Sequence, residues 1–201
     1  MTKDELAKVE AARVAAAGLD KARQELVDEI AAFSWIPSLK EDELKKVQDL
    51  RDKVDAMKGA NFKESELKNL TDAEKARDDV LEVKDNAEKS VAALPEASDV
   101  RYGDIDTIKA TSQLVRSVED LGGSVDTAKL TDAENTWKQI DSDRAAADDL
   151  MAKLPAVAEN VTLANREAAI QARKAVKNLV AKGVQDSDYK NINNLNITET
   201  R

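Results

Sequence analysis

Hydrophobic residues recur along this chain in alternating steps of three and four, and the same stripe is written more than once. Leu70, Ala73, Val80, Ala87, Val91 and Leu94 fall on one face of a helical projection. Sixty residues later Leu130, Ala133, Trp137, Ile140, Ala147, Met151 and Leu154 fall on the matching face. Such steps give each helix an apolar seam suited to antiparallel packing. A basic residue interrupts each stripe at the same point, Lys84 and Arg144, and Arg77 stands where the later copy has Trp137. Leu19, Ala22, Leu26, Ile30 and Phe33 continue the theme upstream, in a helix that starts about eleven residues, or roughly three turns, earlier relative to its proline.

Punctuation follows the same period. Pro37, Pro95 and Pro155 come after Ile36, Leu94 and Leu154, at spacings of 58 and 60 residues. Proline pushes its preceding residue out of the α region, so these three aliphatic residues are expected to close helices. Starts are written as capping boxes at Thr2–Glu5, Thr71–Glu74 and Thr131–Glu134, where a Thr hydroxyl and a Glu carboxylate satisfy each other's orphan N–H groups. The spacing predicts long helices over about 71–93 and 131–153, each roughly 35 Å long. A second helix follows each proline: Leu44, Val47, Val54 and Met57, then Ile105, Ile108, Val115 and Val118, then Ile170, Arg173, Val176 and Val180. Gly59, Gly122–Gly123 and Gly183 lie just beyond, where left-handed residues end helices at little cost. Segments 62–70, 125–130 and 184–195 predict a short third helix in each pass.

No strand-like alternation occurs, so the fold class is all-α. A repeat of this length implies an array of similar units that bury narrow seams against one another. The expected organisation is an elongated tandem array of short three-helix bundles: residues 1–70 with an extended N-terminal helix, 71–130 and 131–201. Asn196–Glu199 repeats the capping form with Asn, two residues before the last, and reads as the opening of another long helix. The chain is therefore expected to be part of a longer polypeptide. Met1 standing directly before a helix start points the same way.

Composition narrows the chemistry. Charged residues make up 35 % and aromatic ones 3 %, which suits helices with thin cores. The 42 % hydrophobic share is largely alanine and does not signal a large core. Forty acidic against 31 basic residues give a formal charge of −9, and the basic residues form no stripe. Nucleic acid and anionic membrane surfaces are thus poor partners. Histidine and cysteine are both absent, which removes imidazole bases, thiolates, disulfides and the usual zinc ligands. There is no run of 18 apolar residues and no apolar leader core, so no membrane insertion is expected. Phosphate-cradling glycine loops and nucleophile elbows are missing too. Carboxylate pairs alone can hydrolyse glycosides, but only inside a cleft that thin bundles rarely build. The expectation is a protein without catalytic residues, cofactor or metal.

The acidic pairs Asp104/Asp106, Asp141/Asp143, Asp148/Asp149 and Asp186/Asp188 are the metal candidates. An EF-hand loop needs Gly at its sixth position and Glu at its twelfth, and counting from Asp141 gives Ala146 and Ala152. The pairs on helices read as solvated faces; Asp186 and Asp188 fall in a loop, where a weak cation site is conceivable but nothing in the sequence supports one. Phe33 and Trp35 flank the first corner and are the candidate partner-binding residues. Phe33 lies on the apolar stripe and reads as core; Trp35 lies off it and either packs in the corner or stacks on a sugar ring. Trp137 reads as a local core residue, and Tyr102 and Tyr189 fall near turns without a readable role. The sequons at Asn69, Asn160 and Asn196 read as caps and turns rather than glycosylation sites.

Leu154-Pro155, then Asn160-Val161-Thr162-Leu163, then the helix Ala168–Val176 with its Ala172-Arg173 pair, resemble the FIVAR module of bacterial surface proteins. The later part of that pattern is matched by Asn194-Leu195, by Leu70 with Ala73-Glu74 and by Leu130 with Ala133-Glu134. The second pass keeps Leu94-Pro95, Ser98-Asp99-Val100 and Ile108 with Ala110 but lacks the Ala-Arg pair, and the first keeps little beyond Ile36-Pro37 and the stripe. The resemblance implies spectrin-like or FIVAR-like three-helix units in an exported Gram-positive protein: extracellular, at the cell wall or surface, in an S-layer-like protein, an adhesin or an accessory region of a carbohydrate-active enzyme. It supplies no catalytic residues. The expected function is a structural spacer. Alternatives are an adhesion module binding a cell-wall polymer or neighbouring surface proteins, and an intracellular helical scaffold.

Overall fold

The computed structural model describes residues 2–200, which form seven α-helices and five short 3-10 turns with no strand among them. The helices are α1 (Lys3–Ala32), α2 (Glu41–Ala56), α3 (Lys68–Ala93), α4 (Ile105–Asp120), α5 (Ala128–Ala152), α6 (Asn165–Val180) and α7 (Ile192–Glu199). The all-α expectation holds, and the two long helices α3 and α5 end within a residue of their expected ends.

Their starts differ. Only the first capping box forms, with Thr2 N–H donating to Glu5 Oε2 at 2.6 Å and Glu5 N–H to Thr2 Oγ1 at 3.3 Å. Thr71 and Thr131 are instead helical, donating through their N–H groups to the carbonyls of Leu67 (2.9 Å) and Thr127 (2.8 Å). Three extra residues bring Leu70 and Leu130 inside the first turn, in line with Ala73 and Ala133, and all four are buried. Burying a leucine is worth about 2 kcal/mol, against about 1 kcal/mol for a cap. Packing wins over the local motif. Asn196 likewise caps nothing: it lies inside α7, where Thr198 Oγ1 donates to the Asn194 carbonyl at 2.8 Å.

The first proline corner also departs from expectation. Leu94 and Leu154 are 2 % and 4 % exposed, but Ile36 is 78 % exposed and closes no helix. Phe33 takes that role. Its N–H reaches the Ile30 carbonyl at 3.1 Å, as Leu94 reaches Val91 at 3.2 Å and Leu154 reaches Met151 at 3.1 Å. In this register Leu26 matches Ala87 and Ala147, while Arg23 matches Lys84 and Arg144. The stripe of α6 is shifted as well: Ala169, Ala172, Val176 and Leu179 are buried, whereas Ile170 and Val180 are exposed and Arg173 points outward to an acidic partner. Two alanines let α6 lie close against α5 and α7, the helices it packs on.

No separate third helix fills the connecting segments. Segment 62–70 holds one 3-10 turn (Glu64–Glu66) and then enters α3; segment 184–195 holds another (Asp186–Asp188) and then enters α7. Between α4 and α5 the chain turns at Gly122, whose φ of 78° suits glycine. Gly122 N–H donates to Glu119 and Gly123 N–H to Val118, the paired bonds of a Schellman ending. Gly123 has no room for a side chain, since a Cβ there would lie 2.8 Å from Leu39 Cδ1.

By contacts the chain divides into two compact units: Met1–Asn86 with Arg116–Ser124, and Ala87–Val115 with Val125–Arg201. In the first, Leu26 and Ile30 of α1, Val47, Leu50 and Val54 of α2, and Leu70 and Ala73 of α3 form the core. In the second, the end of α3 and much of α4 join α5, α6 and Leu195 of α7 around Ile108, Ile140, Met151 and Ala172. Residues 2–22 of α1 are exposed on every side.

Candidate functional site

Arg144 and Arg23, the basic residues at matching points of two long stripes, each hold a cluster together. In the second unit Arg144 Nε donates to Asp141 Oδ1 at 3.0 Å and its Nη1 to the Asp188 carbonyl at 3.1 Å. Its guanidinium lies 5.8 Å from the centre of the Tyr102 ring. Tyr102 stacks on Trp137, with centroids 5.8 Å apart and planes at 15°. The Trp137 indole N–H donates to the Tyr102 carbonyl at 2.8 Å, and the Tyr102 hydroxyl donates to Asp141 Oδ1 at 3.3 Å. Burial opposes the Arg144 charge, but the bond to Asp141 and the nearby Tyr102 outweigh it and raise its pKa. Burial raises the Tyr102 phenol too. Arg144, Asp141, Tyr102 and Trp137 are thus bonded to one another or to the Asp188 backbone.

The first unit repeats the device with different residues. Arg23 pairs with Glu66 and lies 5.4 Å from the centre of the Phe62 ring. Glu66 ends a 3-10 turn and also accepts from the Lys63 N–H at 2.8 Å, as Asp188 accepts from Gln185 N–H at 2.8 Å. The underlying text is Glu64-Ser65-Glu66-Leu67-Lys68-Asn69 against Asp186-Ser187-Asp188-Tyr189-Lys190-Asn191. That correspondence is present in the sequence. It is hidden because the proline register, which aligns Ile36 with Leu94, displaces α1 by three residues.

Tyr189, in the place of Leu67, is 5 % exposed, and its buried hydroxyl has no hydrogen-bond partner among the described residues. Burial pushes its pKa up. Removing an unsatisfied buried hydroxyl relieves a desolvation penalty, so Tyr189→Phe is expected to raise stability by about 1 kcal/mol, read as a higher urea midpoint.

Two further contacts recur. Arg51 of α2 holds Glu74 through Nε (2.6 Å) and Nη2 (2.5 Å), and Arg173 of α6 holds Glu199 through the same two nitrogens, at 2.8 Å for Nε. The equivalent of Arg51 and Arg173 in α4 is Ser112, which cannot make this ion pair; Glu134 pairs with Lys138 at 3.6 Å instead. The Arg173 bond holds the Glu199 carboxyl below its usual range, and the Lys63 N–H followed by Arg23 does the same for Glu66. A depressed carboxylate stabilises the fold above its unfolded pKa and ceases to as pH falls through the folded value. Stability is therefore expected to hold at neutral pH and to fall below about pH 4.3. Urea titrations across that range check this, with Glu199→Gln flattening the acid side.

Side chains near the starts of α3, α5 and the short α7 also seal the ends of α1, α3 and α5. Asn69 Nδ2 donates to the Ala31 carbonyl at 3.0 Å, Lys129 Nζ to Ala92 at 3.0 Å, and Asn194 Nδ2 to Met151 at 3.2 Å and Leu154 at 3.3 Å. Each satisfies carbonyls that a helix C-terminus leaves open.

Phe33 and Trp35, the sequence-derived candidates, are both half-buried and packed on the first core. They line an open groove of about 390 Å³ with Ala31, Asn69, Asp72 and Ala76. The Trp35 indole N–H is buried without a partner among the described residues. The acidic pairs do not converge: Asp104 accepts from Arg101 N–H, Asp148 from Asn191 N–H and Asp143 from Gln139. Among the described residues no three His, Cys, Asp or Glu side chains gather to hold a metal ion, and no helix is long and apolar enough to cross a membrane. Compared with models of known protein families, with curated proteins and with solved structures, the chain matches none.

Proposed function

We propose that this chain is a non-catalytic structural region of a bacterial cell-surface or S-layer-like protein. Short three-helix units stand in series within a longer polypeptide and act as an elongated spacer. The observation that carries the reading is the threefold sealing of a long helix by a side chain near the start of a following helix, at Asn69 in α3, Lys129 in α5 and Asn194 in α7. A contact repeated in this order suits a serial array, in which each repeat leans on its neighbour. The employment of charged and aromatic side chains on one another supports a role in shape rather than reactivity, and the FIVAR-like text of residues 154–176 is in keeping with an extracellular setting. Partners would be neighbouring surface proteins or a cell-wall polymer, not nucleic acid or a lipid bilayer. Small-angle scattering tests the array. A radius of gyration well above the compact value is expected, and one of about 16–17 Å would overturn it.

A second reading, adhesion to a cell-wall polymer, draws on the half-buried Trp35 ring, which lines an open groove and offers a surface for stacking on a sugar. Trp35→Ala removes that surface. Loss of binding to purified cell walls at an unchanged unfolding midpoint would favour adhesion over the spacer.

A further inference from the structure

Counted back from Phe33, Leu94 and Leu154, α1 repeats the seam of α3 and α5 well beyond its buried end. Val9, Ala12 and Leu19 stand where α3 has Leu70, Ala73 and Val80 and where α5 has Leu130, Ala133 and Ile140. Those counterparts are all buried. In α1 the same places are open: Val9 is 57 % exposed, Leu19 39 %, and Ala12 is exposed as well. The open stripe runs straight on into Leu26 and Ile30, which belong to the first core.

The counterparts are covered in the same way each time. Leu70 and Ala73 share a core with Leu26 and Ile30 at the end of α1 and with Val47 and Val54 of α2. Leu130 and Ala133 share one with Val91 and Leu94 at the end of α3 and with Ile108 and Val115 of α4. Leu195 of α7 joins Met151, Leu154 and Val176 likewise. The opening turns of such a helix pack on the end of one long helix and on the short helix that follows it. The stripe of α1 therefore continues an interface whose occupant has a defined build.

Two polar positions specify that occupant. Lys8 precedes Val9 as Asn69, Lys129 and Asn194 precede their leucines, and those three side chains donate to carbonyls at the end of a long helix. Arg13 stands at the place of Glu74, Glu134 and Glu199. Arg51 of α2 holds Glu74 and Arg173 of α6 holds Glu199; α4 has Ser112 there, and Glu134 pairs with Lys138 of its own helix. In α1 the sign is reversed. The Arg13 side chain is 79 % exposed, with Glu10 of the same helix 3.5 Å away. An arginine at the Arg51 place would repel it, and a carboxylate would pair with it. The last pass of a second copy is thus a poor occupant: it carries Arg173 there, and its own α7 already packs on α6.

We propose that the 8–19 face of α1 is a docking seam for one further helical unit of this same build, standing ahead of α1 in the series. Its short helix carries Asp or Glu at the place of Arg51 and Arg173, and its long helix ends with carbonyls within reach of Lys8. The inference is drawn from the side chains of α1. It rests on the serial-array reading and adds the chemistry that the neighbouring unit must have.

A tandem protein supplies the probe. Residues 1–193 run directly into residues 8–201 of a second copy, so that Lys8 and Val9 of the trailing copy take the places of Asn194 and Leu195. Arg173→Glu is made in the leading copy alone, which gives the docking surface its carboxylate. Hydrogen exchange of segment 9–22 is followed by mass spectrometry, with the single chain as the baseline. Both copies share this segment, so an open and a docked form separate as two isotope envelopes. One is expected at the baseline rate and the other about 100-fold slower. Keeping Arg173 in the leading copy is expected to remove roughly fivefold of that protection. Val9→Ser with Leu19→Ser in the trailing copy should return its envelope to the baseline. A single envelope at the baseline rate, or a slow one that survives both serines, would overturn the docking. Equal protection with Arg173 and with Glu would overturn the stated chemistry of the partner. The scattering radius of the single chain tests the array separately: an elongated chain whose tandem gives one envelope would sink this inference alone.

Discussion

Leu70→Ala is expected to cost about 3 kcal/mol, the largest loss anticipated from one aliphatic truncation in the first unit. Leu70 is fully buried and lies where Leu26 and Ile30 of α1 meet Val47, Leu50 and Val54 of α2. Helices on several sides limit how far the site can collapse around a smaller residue, so the cavity term adds to the lost transfer energy. The neighbouring Thr71→Ala is the matched control. Thr71 is exposed and inside the helix, so its loss is expected to change stability by no more than about 0.5 kcal/mol. Were the Thr71–Glu74 box the true helix cap, the same change would cost about 1 kcal/mol. Urea midpoints of the two variants decide between these helix starts.

Arg144→Ala follows, at about 2–3 kcal/mol. The side chain is 17 % exposed and serves three partners from one position: the Asp141 carboxylate, the Asp188 carbonyl and the Tyr102 ring. Removing it leaves the Asp188 carbonyl without its side-chain donor, leaves the Asp141 carboxylate with only the Tyr102 hydroxyl, and uncovers an aromatic face. Arg144→Lys should recover only part of the loss, because an ammonium keeps the charge but cannot bond Asp141 and Asp188 through separate nitrogens of a planar fork. Equal stability of the Lys and Arg forms would mean that the charge alone matters. Near-ultraviolet circular dichroism, sensitive to the Tyr102–Trp137 stack, should change in the Ala variant before helix content does.

The sequence and the folded chain agree best where the signal is periodic and redundant. Ala73, Val80, Ala87, Val91 and Leu94 are all buried, because a stripe repeated over seven turns leaves one orientation that hides it. Agreement fails where a motif of four residues competes with packing. The boxes at Thr71 and Thr131 are sound local chemistry, yet each would leave a leucine outside its helix. It fails again at Ile36, where proline is a weaker landmark than the apolar residue that ends the seam, Phe33. Once Phe33 is aligned with Leu94 and Leu154, Arg23 falls in line with Arg144 and the Glu66 turn with the Asp188 turn, while the aromatic partners Phe62 and Tyr102 come from different connections. The candidate site was legible only in part: Phe33 and Trp35 do share a groove, but the stack of Tyr102 on Trp137 joins residues 35 apart with no common motif. Nothing in a local window could supply that pairing.

The long-helix seals carry a consequence for biogenesis. Ala31, Ala92 and Met151 accept from side chains 38, 37 and 43 residues downstream. As the polypeptide emerges during translation, the last turn of each long helix must wait for the following connection to be made before its open carbonyls find their donors. Ribosome-bound intermediates halted before Asn69 should therefore fray at Ala31, and that end should tighten only when Asn69 has left the exit tunnel.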